Sequence, residues 1–393
     1  MKILPISISK DIDKYFYNRE KDIKKINNFL SLLDEDIPNQ LLITGYRGVG
    51  KTLLLKKILK EQPNKYLTTY MDLSNIYGRE SGKLTEEEVI KELLNQINQT
   101  LIKNNLLKTT KEKIKKIINE LKLKDYTFND NHILDIPIPE IKNNYNKLSK
   151  FTMELPQNIV DANDNIKGFI IVIDEFQLLK TINDPKAFFW LIRSYTQKQF
   201  NVDYIFTGSV SKTSEIIEMI NGQSGAFGGR MIQINVEPFT KEETKNYINE
   251  KANEIKFTEK GFERFYACTR GIPIYINTLC TILPNNEVCD EKIIAENLNL
   301  NIDYMAIIWL YTWGTLTKIE KEILIFLVEN ENVTWKTLVD NLKYSKVTVN
   351  KYIDSLNNKG IIEYKVNNNY VIADKILKTW LSTKKENEGI YPI

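Results

Sequence analysis

Gly45-Tyr46-Arg47-Gly48-Val49-Gly50-Lys51-Thr52 fits the pattern G-x-x-x-x-G-K-[ST], and this stretch decides the fold. Residues 41–44, Leu-Leu-Ile-Thr, read as a short buried strand before it. Residues 53–60, with Leu54, Leu55, Ile58 and Leu59 on one face, read as a helix after it. Glycines 45, 48 and 50 let the backbone curl until successive N–H groups face one anion. The helix start adds partial positive charge. Such a loop cradles phosphates: Lys51 would reach the β- and γ-phosphates and the Thr52 hydroxyl would hold Mg²⁺.

Bulk properties narrow the rest. The 393 residues suffice for two or three domains, and 42% apolar content suits a globular chain. A net charge of +3 makes no strong claim for nucleic acid. No apolar run is long enough to span a membrane and the start lacks a leader's layout, so the expectation is a cytoplasmic protein. Cys268, Cys280 and Cys289 have no metal-binding spacing, and His132 is the sole histidine. That pattern argues against Ser-His-Asp, Cys-His and His-zinc chemistry. Carboxylates, Lys, Arg and a metal remain.

Outward from the loop, 11–33 predicts an entry helix preceded by Phe16-Tyr17-Asn18-Arg19-Glu20. That pentapeptide either opens the domain or lines the adenine side of a nucleotide site. A second strand is expected over 66–73 and helices over 85–107 and 111–123, the latter with a lysine-rich face. Residues 125–165, rich in Asn and carrying Pro137, Pro139 and Pro156, read as an irregular excursion. The whole of 81–166 is expected to be an insertion between strands. Phe169-Ile170-Ile171-Val172-Ile173-Asp174-Glu175 is a continuous apolar strand ending in two carboxylates, as in a parallel strand covered on both faces. Further strands are expected at 203–207 and 231–236, with helices at 185–199 and 212–220. Alternating strands and helices imply a parallel α/β sheet.

From 241 the strands are expected to stop, giving helices at 242–255, 259–269 and 274–282, the last opened by Arg270-Gly271-Ile272-Pro273. Residues 317–381 read as a winged helix. Three helices, two of them starting at Thr334 and Ser345, precede a two-stranded wing at 361–364 and 370–373. The expected domains are 1–239, 240–312 and 313–393.

Asp174, at a strand tip, is placed to hold the Mg²⁺ shell, and Glu175 beside it to act as general base toward an attacking water. Ser209, and less directly Thr207, follow the next strand, where a hydroxyl can hydrogen-bond the γ-phosphate. Arg230 sits between a glycine loop and the fifth strand. Its guanidinium would neutralise charge on the γ-phosphoryl, in its own subunit or a neighbour's.

The motifs Gly45 to Thr52, Ile170 to Glu175, Thr207-Gly208-Ser209, Gly229-Arg230 and Gly271-Ile272-Pro273 stand in the order seen in AAA+-type P-loop ATPases. With Phe16 to Glu20, the chain resembles the archaeal ATPase family, which lies among STAND-like ATPases and near origin-recognition ATPases. The resemblance implies a five-stranded sheet ordered 5-1-4-3-2, a helical lid and a winged helix. It implies ATP/ADP and Mg²⁺ as cofactors. Gly45, Tyr46, Arg47, Gly48, Val49, Gly50, Lys51, Thr52 and Leu53 would surround the nucleotide, with Arg19, Gly271 and Pro273 completing its cleft. Thr52 and Asp174 would hold the metal; Lys51, Glu175, Ser209 and Arg230 would serve hydrolysis. A sensor arginine inside the lid helix is missing; only Arg270 stands near.

Two functions follow as expectations. One is a nucleotide-driven switch with slow ATP turnover, its output the winged helix and its partner a protein or a second copy. The other is a duplex-DNA-binding regulator reading through Lys346, Thr348, Asn350 and Lys351. The twelve Lys and ten Asp and Glu of 316–393 give that region a charge of only +2, which favours the first.

Overall fold

The computed structural model describes residues 11–80, 82–106, 145–209, 215–364 and 369–392. Five strands form one parallel sheet: β1 (Gln40–Thr44), β2 (Tyr66–Asp72), β3 (Gly168–Asp174), β4 (Val202–Thr207) and β5 (Ile232–Asn235). They stand in the order β2-β3-β4-β1-β5, the order that the family resemblance implies. Every residue of β3 is buried. Strand alternation explains its unbroken apolar run: Phe169, Ile171 and Ile173 enter one core, while Ile170 and Val172 enter another on the opposite face.

Helices cover both faces. α1 (Ile12–Tyr15) and α2 (Glu20–Leu30) precede β1, and α3 (Lys51–Glu61) follows it. Ile26 and Leu30 of α2 and Leu54, Leu55 and Ile58 of α3 share the core containing Ile170 and Val172. α4 (Leu73–Arg79) and α5 (Glu86–Lys103) follow β2. A capping box between Thr85 and Glu88 starts α5, whose Val89, Leu93, Ile97 and Leu101 fill the other core.

The irregular excursion is corrected where it is described. Tyr145–Val160 forms helix α6, with Leu148, Phe151, Leu155 and Ile159 buried along one stripe. Packing against α5 and β3 outweighs the one intrahelical hydrogen bond that Pro156 cannot donate. The helix expected at 111–123, its lysines, and His132 lie outside the described residues, as does the start of the helix expected at 212–220. α7 (Pro185–Thr196) and α8 (Glu215–Asn221) complete the layer over the Phe169 face.

Beyond β5 come α9 (Lys241–Lys251), α10 (Glu259–Thr269), α11 (Pro273–Ile282) and α12 (Glu291–Leu300). The strands do not end at 241. β6 (Lys256–Phe257) and β7 (Val288–Cys289) pair in parallel, a bridge too short to leave a period in the sequence. α13 (Ile302–Met305) and α14 (Ile307–Thr315) then lead into α15 (Lys318–Glu329). β8 (Val333–Thr334), α16 (Trp335–Asn341), α17 (Lys346–Asn358), β9 (Ile362–Tyr364), β10 (Asn369–Ile372) and α18 (Lys375–Glu388) follow. Thr334 and Ser345 are the N-caps of α16 and α17. β8, not anticipated, adds a third antiparallel strand beside β10. One apolar core runs from Phe239 to Leu381, and the boundary expected at 312–313 falls inside α14. Among the described residues no helix is long and apolar enough to cross a membrane.

At the amino edge of the sheet, Asp203 is fully buried. Its Oδ1 accepts the Asn39 N–H at 2.5 Å, while Oδ2 has no partner among the described residues. Burial holds this carboxyl well above its ordinary value, against the pull of the Asn39 N–H. A raised folded-state value favours folding below the unfolded carboxylate range, and that contribution is lost as pH climbs through the raised value. Asp203→Asn is therefore expected to stabilise the chain at neutral pH by about 1–3 kcal/mol. Thermal melts should show the gain shrinking below about pH 4.

Candidate active site

β1 stops at Thr44 because the next residue takes a conformation that side chains resist. Gly45, Gly48 and Gly50 have φ of 148°, 79° and 98°. A Cβ on Gly45 would sit 2.5 Å from the Val236 carbonyl oxygen, and one on Gly48 would collide with Ile274 Cγ2. The Val49 N–H closes the loop onto the Tyr46 carbonyl at 3.2 Å. Gly50 is the N-cap of α3 and supplies no side-chain acceptor. Helix geometry leaves the N–H groups of Lys51, Thr52 and Leu53 without intrahelical partners. The loop thus offers a row of donors to an anion, which fits a polyphosphate.

Lys51 lies buried under the loop. Its Nζ donates to the carbonyls of Gly45 (2.9 Å) and Tyr46 (3.0 Å) and to Ser209 Oγ (3.1 Å). Burial pulls the ammonium down to about 8, while Glu175 and Asp174 act to raise it. It stays cationic at pH 7 and poorly solvated, a state that an incoming anion relieves.

The carboxylates face it from β3. Thr52 Oγ1 donates to Asp174 Oδ2 at 2.8 Å, and the Glu175 N–H donates to Asp174 Oδ1 at 2.8 Å. Hydroxyl and carboxylate side by side, both oxygen donors, fit a hard divalent cation. Glu175 adopts a left-handed conformation, φ 55° and ψ 37°, and caps the 3-10 turn Phe176–Thr181. That turn brings Gln177 Nε2 to donate to Glu175 Oε2. Burial foremost, and then Asp174, push the Glu175 carboxyl above its ordinary value; Gln177 and Lys51 oppose them. Gly208 borders Gln177 so closely that a side chain there would strike Gln177 Oε1.

The structure gathers Lys51, Thr52, Asp174, Glu175 and Ser209. Arg19 joins them from behind: its guanidinium donates to the carbonyls of Val49 (3.0 Å) and Glu237 (2.7 Å) and lies 4.7 Å from the Phe239 ring centre. Beside it, Tyr17 packs edge-on against Phe239 and Tyr247, and Asn18 donates to Glu243. Gly271 and Pro273 open α11, but it is the next residue, Ile274, that meets the loop, its N–H donating to the Gly48 carbonyl at 3.3 Å.

Arg230 is corrected as a residue of its own chain's site. Ile232 pairs in parallel with Leu41, so Arg230 stands exposed at the amino edge of the sheet. The phosphate-loop motif leaves from the carboxyl edge.

Sequence reasoning missed the other wall. Arg47 Nη1 donates to Thr312 Oγ1 at 2.7 Å, and its guanidinium lies 5.9 Å from the Trp309 ring centre. Trp309 Nε1 donates to the Tyr275 hydroxyl (2.8 Å), which donates to Asp374 Oδ2 (2.6 Å). Gly360 stands near the Ser209 carbonyl: a Cβ built on it would lie 3.8 Å from that oxygen, an ordinary van der Waals distance. A cavity of about 210 Å³ between Tyr46, Arg270 and Asp374 is smaller than an ordinary ligand site and is a seam between loop and C-terminal helices. These contacts join residues far apart in the chain and carry no motif.

A parallel sheet with a glycine loop, a buried lysine and a threonine–aspartate pair at its carboxyl edge is the construction of a P-loop nucleotide-binding protein. The family described as "ATPase domain predominantly from Archaea" matches residues 16–279, and the chain belongs to it. An uncharacterized ATP-binding protein of Methanocaldococcus jannaschii is 24% identical over 302 residues, 72% of this chain and 76% of that protein. The Walker-type ATPase PABY2304 of Pyrococcus abyssi has the same fold, with a TM-score of 0.66 over 96% of this chain and 99% of that one at 20% identity.

Gly271 tests how the lid is seated. Its φ is 72°, its carbonyl accepts the Phe239 N–H at 2.8 Å, and a Cβ would overlap the Phe239 carbonyl oxygen. Gly271→Ala is expected to lower stability by at least about 1–3 kcal/mol in chemical denaturation.

Proposed function

We propose that the chain binds ATP with Mg²⁺, hydrolyses it slowly, and uses the nucleotide state to move its C-terminal half. The observation that carries this reading is the Thr52–Asp174 hydrogen bond of 2.8 Å beside a buried Lys51 and a half-buried Glu175. Thr52 and Asp174 would hold the cation, which when bound neutralises charge between the β- and γ-phosphates. Lys51 would exchange its loop carbonyls for phosphate oxygens. Glu175 would take a proton from the attacking water; burial and Asp174 raise its carboxyl above the ordinary value, which strengthens it as a base. Ser209, already bonded to Lys51, would report the γ-phosphate. Arg19 would brace the loop, and Gly271 and Pro273 would seat the lid over the nucleotide.

We read the domains as an ATPase unit over 1–239, a lid over 240–312 and a winged helix over 313–393. The Arg47–Thr312 hydrogen bond links the lid to the loop, and Gly360 stands near Ser209 at the end of β4, which supports a coupled motion. Lys51→Ala is expected to weaken nucleotide binding at least about tenfold by equilibrium titration, a loss of about 1.4 kcal/mol. Glu175→Gln should keep the affinity and slow turnover by about 10²–10⁴-fold. Equal turnover in that variant would remove the base from the scheme. Size and shape measured in ADP and in a non-hydrolysable ATP analogue should differ if the C-terminal half moves.

A second reading rests on α17. Lys346, Asn350 and Lys351 are exposed, and Val347 is 79% exposed between them. Thr348 is half-buried and shares a hydrogen bond with Ser345, so it serves the helix start more than a groove. Duplex-DNA binding through this face would weaken steeply with salt. No binding at low salt would reject it.

A further inference from the structure

Alternation along β2 puts Tyr66, Thr68 and Tyr70 on the sheet face that α3 covers. Tyr66 and Tyr70 pack into the core that holds Leu54, Leu55 and Val172. Lys56 of α3 stands 5.0 Å from the Tyr70 ring centre. In the sheet register Tyr70 pairs with Val172 and Asp72 with Asp174, so Tyr70 lies one diagonal step from Asp174.

The Tyr70 hydroxyl donates to Asp174 Oδ2, the oxygen that also accepts Thr52 Oγ1. The other oxygen of the carboxylate takes the Glu175 N–H. Asp174 is thus gripped by three donors from three elements: β2, the start of α3 and the end of β3. A threonine hydroxyl has one proton, and giving it to Asp174 turns the lone pairs of Oγ1 away from the carboxylate. The direction in which Thr52 offers those lone pairs therefore depends on where Asp174 is held. Phenylalanine would fill the same apolar space; the hydroxyl adds only the third grip.

We propose that Tyr70 is a positioning residue for the divalent cation: it fixes the Asp174 carboxylate, and through it the Thr52 hydroxyl, in the orientation that binds Mg²⁺ with ATP. The inference rests on the ATP reading above. Tyr70 acts through Asp174 and touches neither nucleotide nor metal.

The test uses the full chain, a fluorescent ATP analogue, and nucleotide binding followed as Mg²⁺ is titrated from a chelated start. Tyr70→Phe is expected to bind nucleotide as the parent does without Mg²⁺. The Mg²⁺ concentration giving half of the metal-dependent gain should rise about tenfold. Melts in the absence of Mg²⁺ should nearly coincide, separating this effect from a loss of fold. In an Asp174→Asn background, Tyr70→Phe should change the titration no further. Coincident Mg²⁺ titrations for parent and Tyr70→Phe would overturn the role of Tyr70 while leaving the ATP site standing. An equal added loss in the Asp174→Asn background would do the same. No nucleotide binding by the parent under either condition would overturn the ATP reading, and this inference with it.

Discussion

The hydrogen bond from Thr52 to Asp174 ties the first turn of α3 to the tip of β3. β1, which feeds α3, is not the neighbour of β3; β4 runs between them. The bond therefore reaches across a strand, and it depends on the register of both flanking pairs. Ile43 lies opposite Thr207, and Thr207 opposite Asp174. A slip of one residue in either ladder would turn Asp174 to the wrong face of the sheet. What prevents the slip is burial: all seven residues of β3 are covered, so any shifted register would misplace Ile170, Ile171, Val172 and Ile173 as well.

The same burial sets the electrostatics. Lys51, Asp174 and Glu175 are gathered where water is scarce, and each charged form is costly there without partners. Lys51 leans on loop carbonyls and Ser209, Asp174 on three donors, and Glu175 on Gln177. The site is ordered by these internal hydrogen bonds, and the carbonyl and hydroxyl contacts of the Lys51 ammonium are ones that an anion can replace. Charge exchange rather than assembly is the step such a site makes easy.

Legibility in the sequence followed the range of the interaction. The glycine loop, the apolar strand and the capping threonines are local patterns, and each set its element directly. Thr85, Thr240 and Thr317 all cap with a glutamate three residues on. α6 was hidden because Pro156 and a polar composition outvote, locally, a stripe whose value comes from packing on α5 and β3. β6, β7 and β8 are two residues each, too short for any period. Arg230 could be placed beside a strand from the sequence, but only the parallel register says which edge of the sheet it occupies. Tyr70 enters the site through long-range placement and carries no motif; Gln177 arrives with the turn after Glu175, and what the loop motif does not announce in Arg47 is its contact with Thr312.

The C-terminal half is packed as a unit. Its apolar core runs unbroken from Phe239 to Leu381, so α11, which rests on the loop, and α17, which faces outward, are packed into one body. Dense interiors transmit displacement better than they absorb it. This body meets the phosphate loop at Ile274 on Gly48 and at Thr312 and Trp309 on Arg47. Lys51 bonds both Ser209 and the Tyr46 carbonyl, so drawing that lysine toward a phosphate disturbs the loop and the Ser209 contact together. In the proposed switch, the phosphate loop is therefore both the site of chemistry and the latch of the moving part.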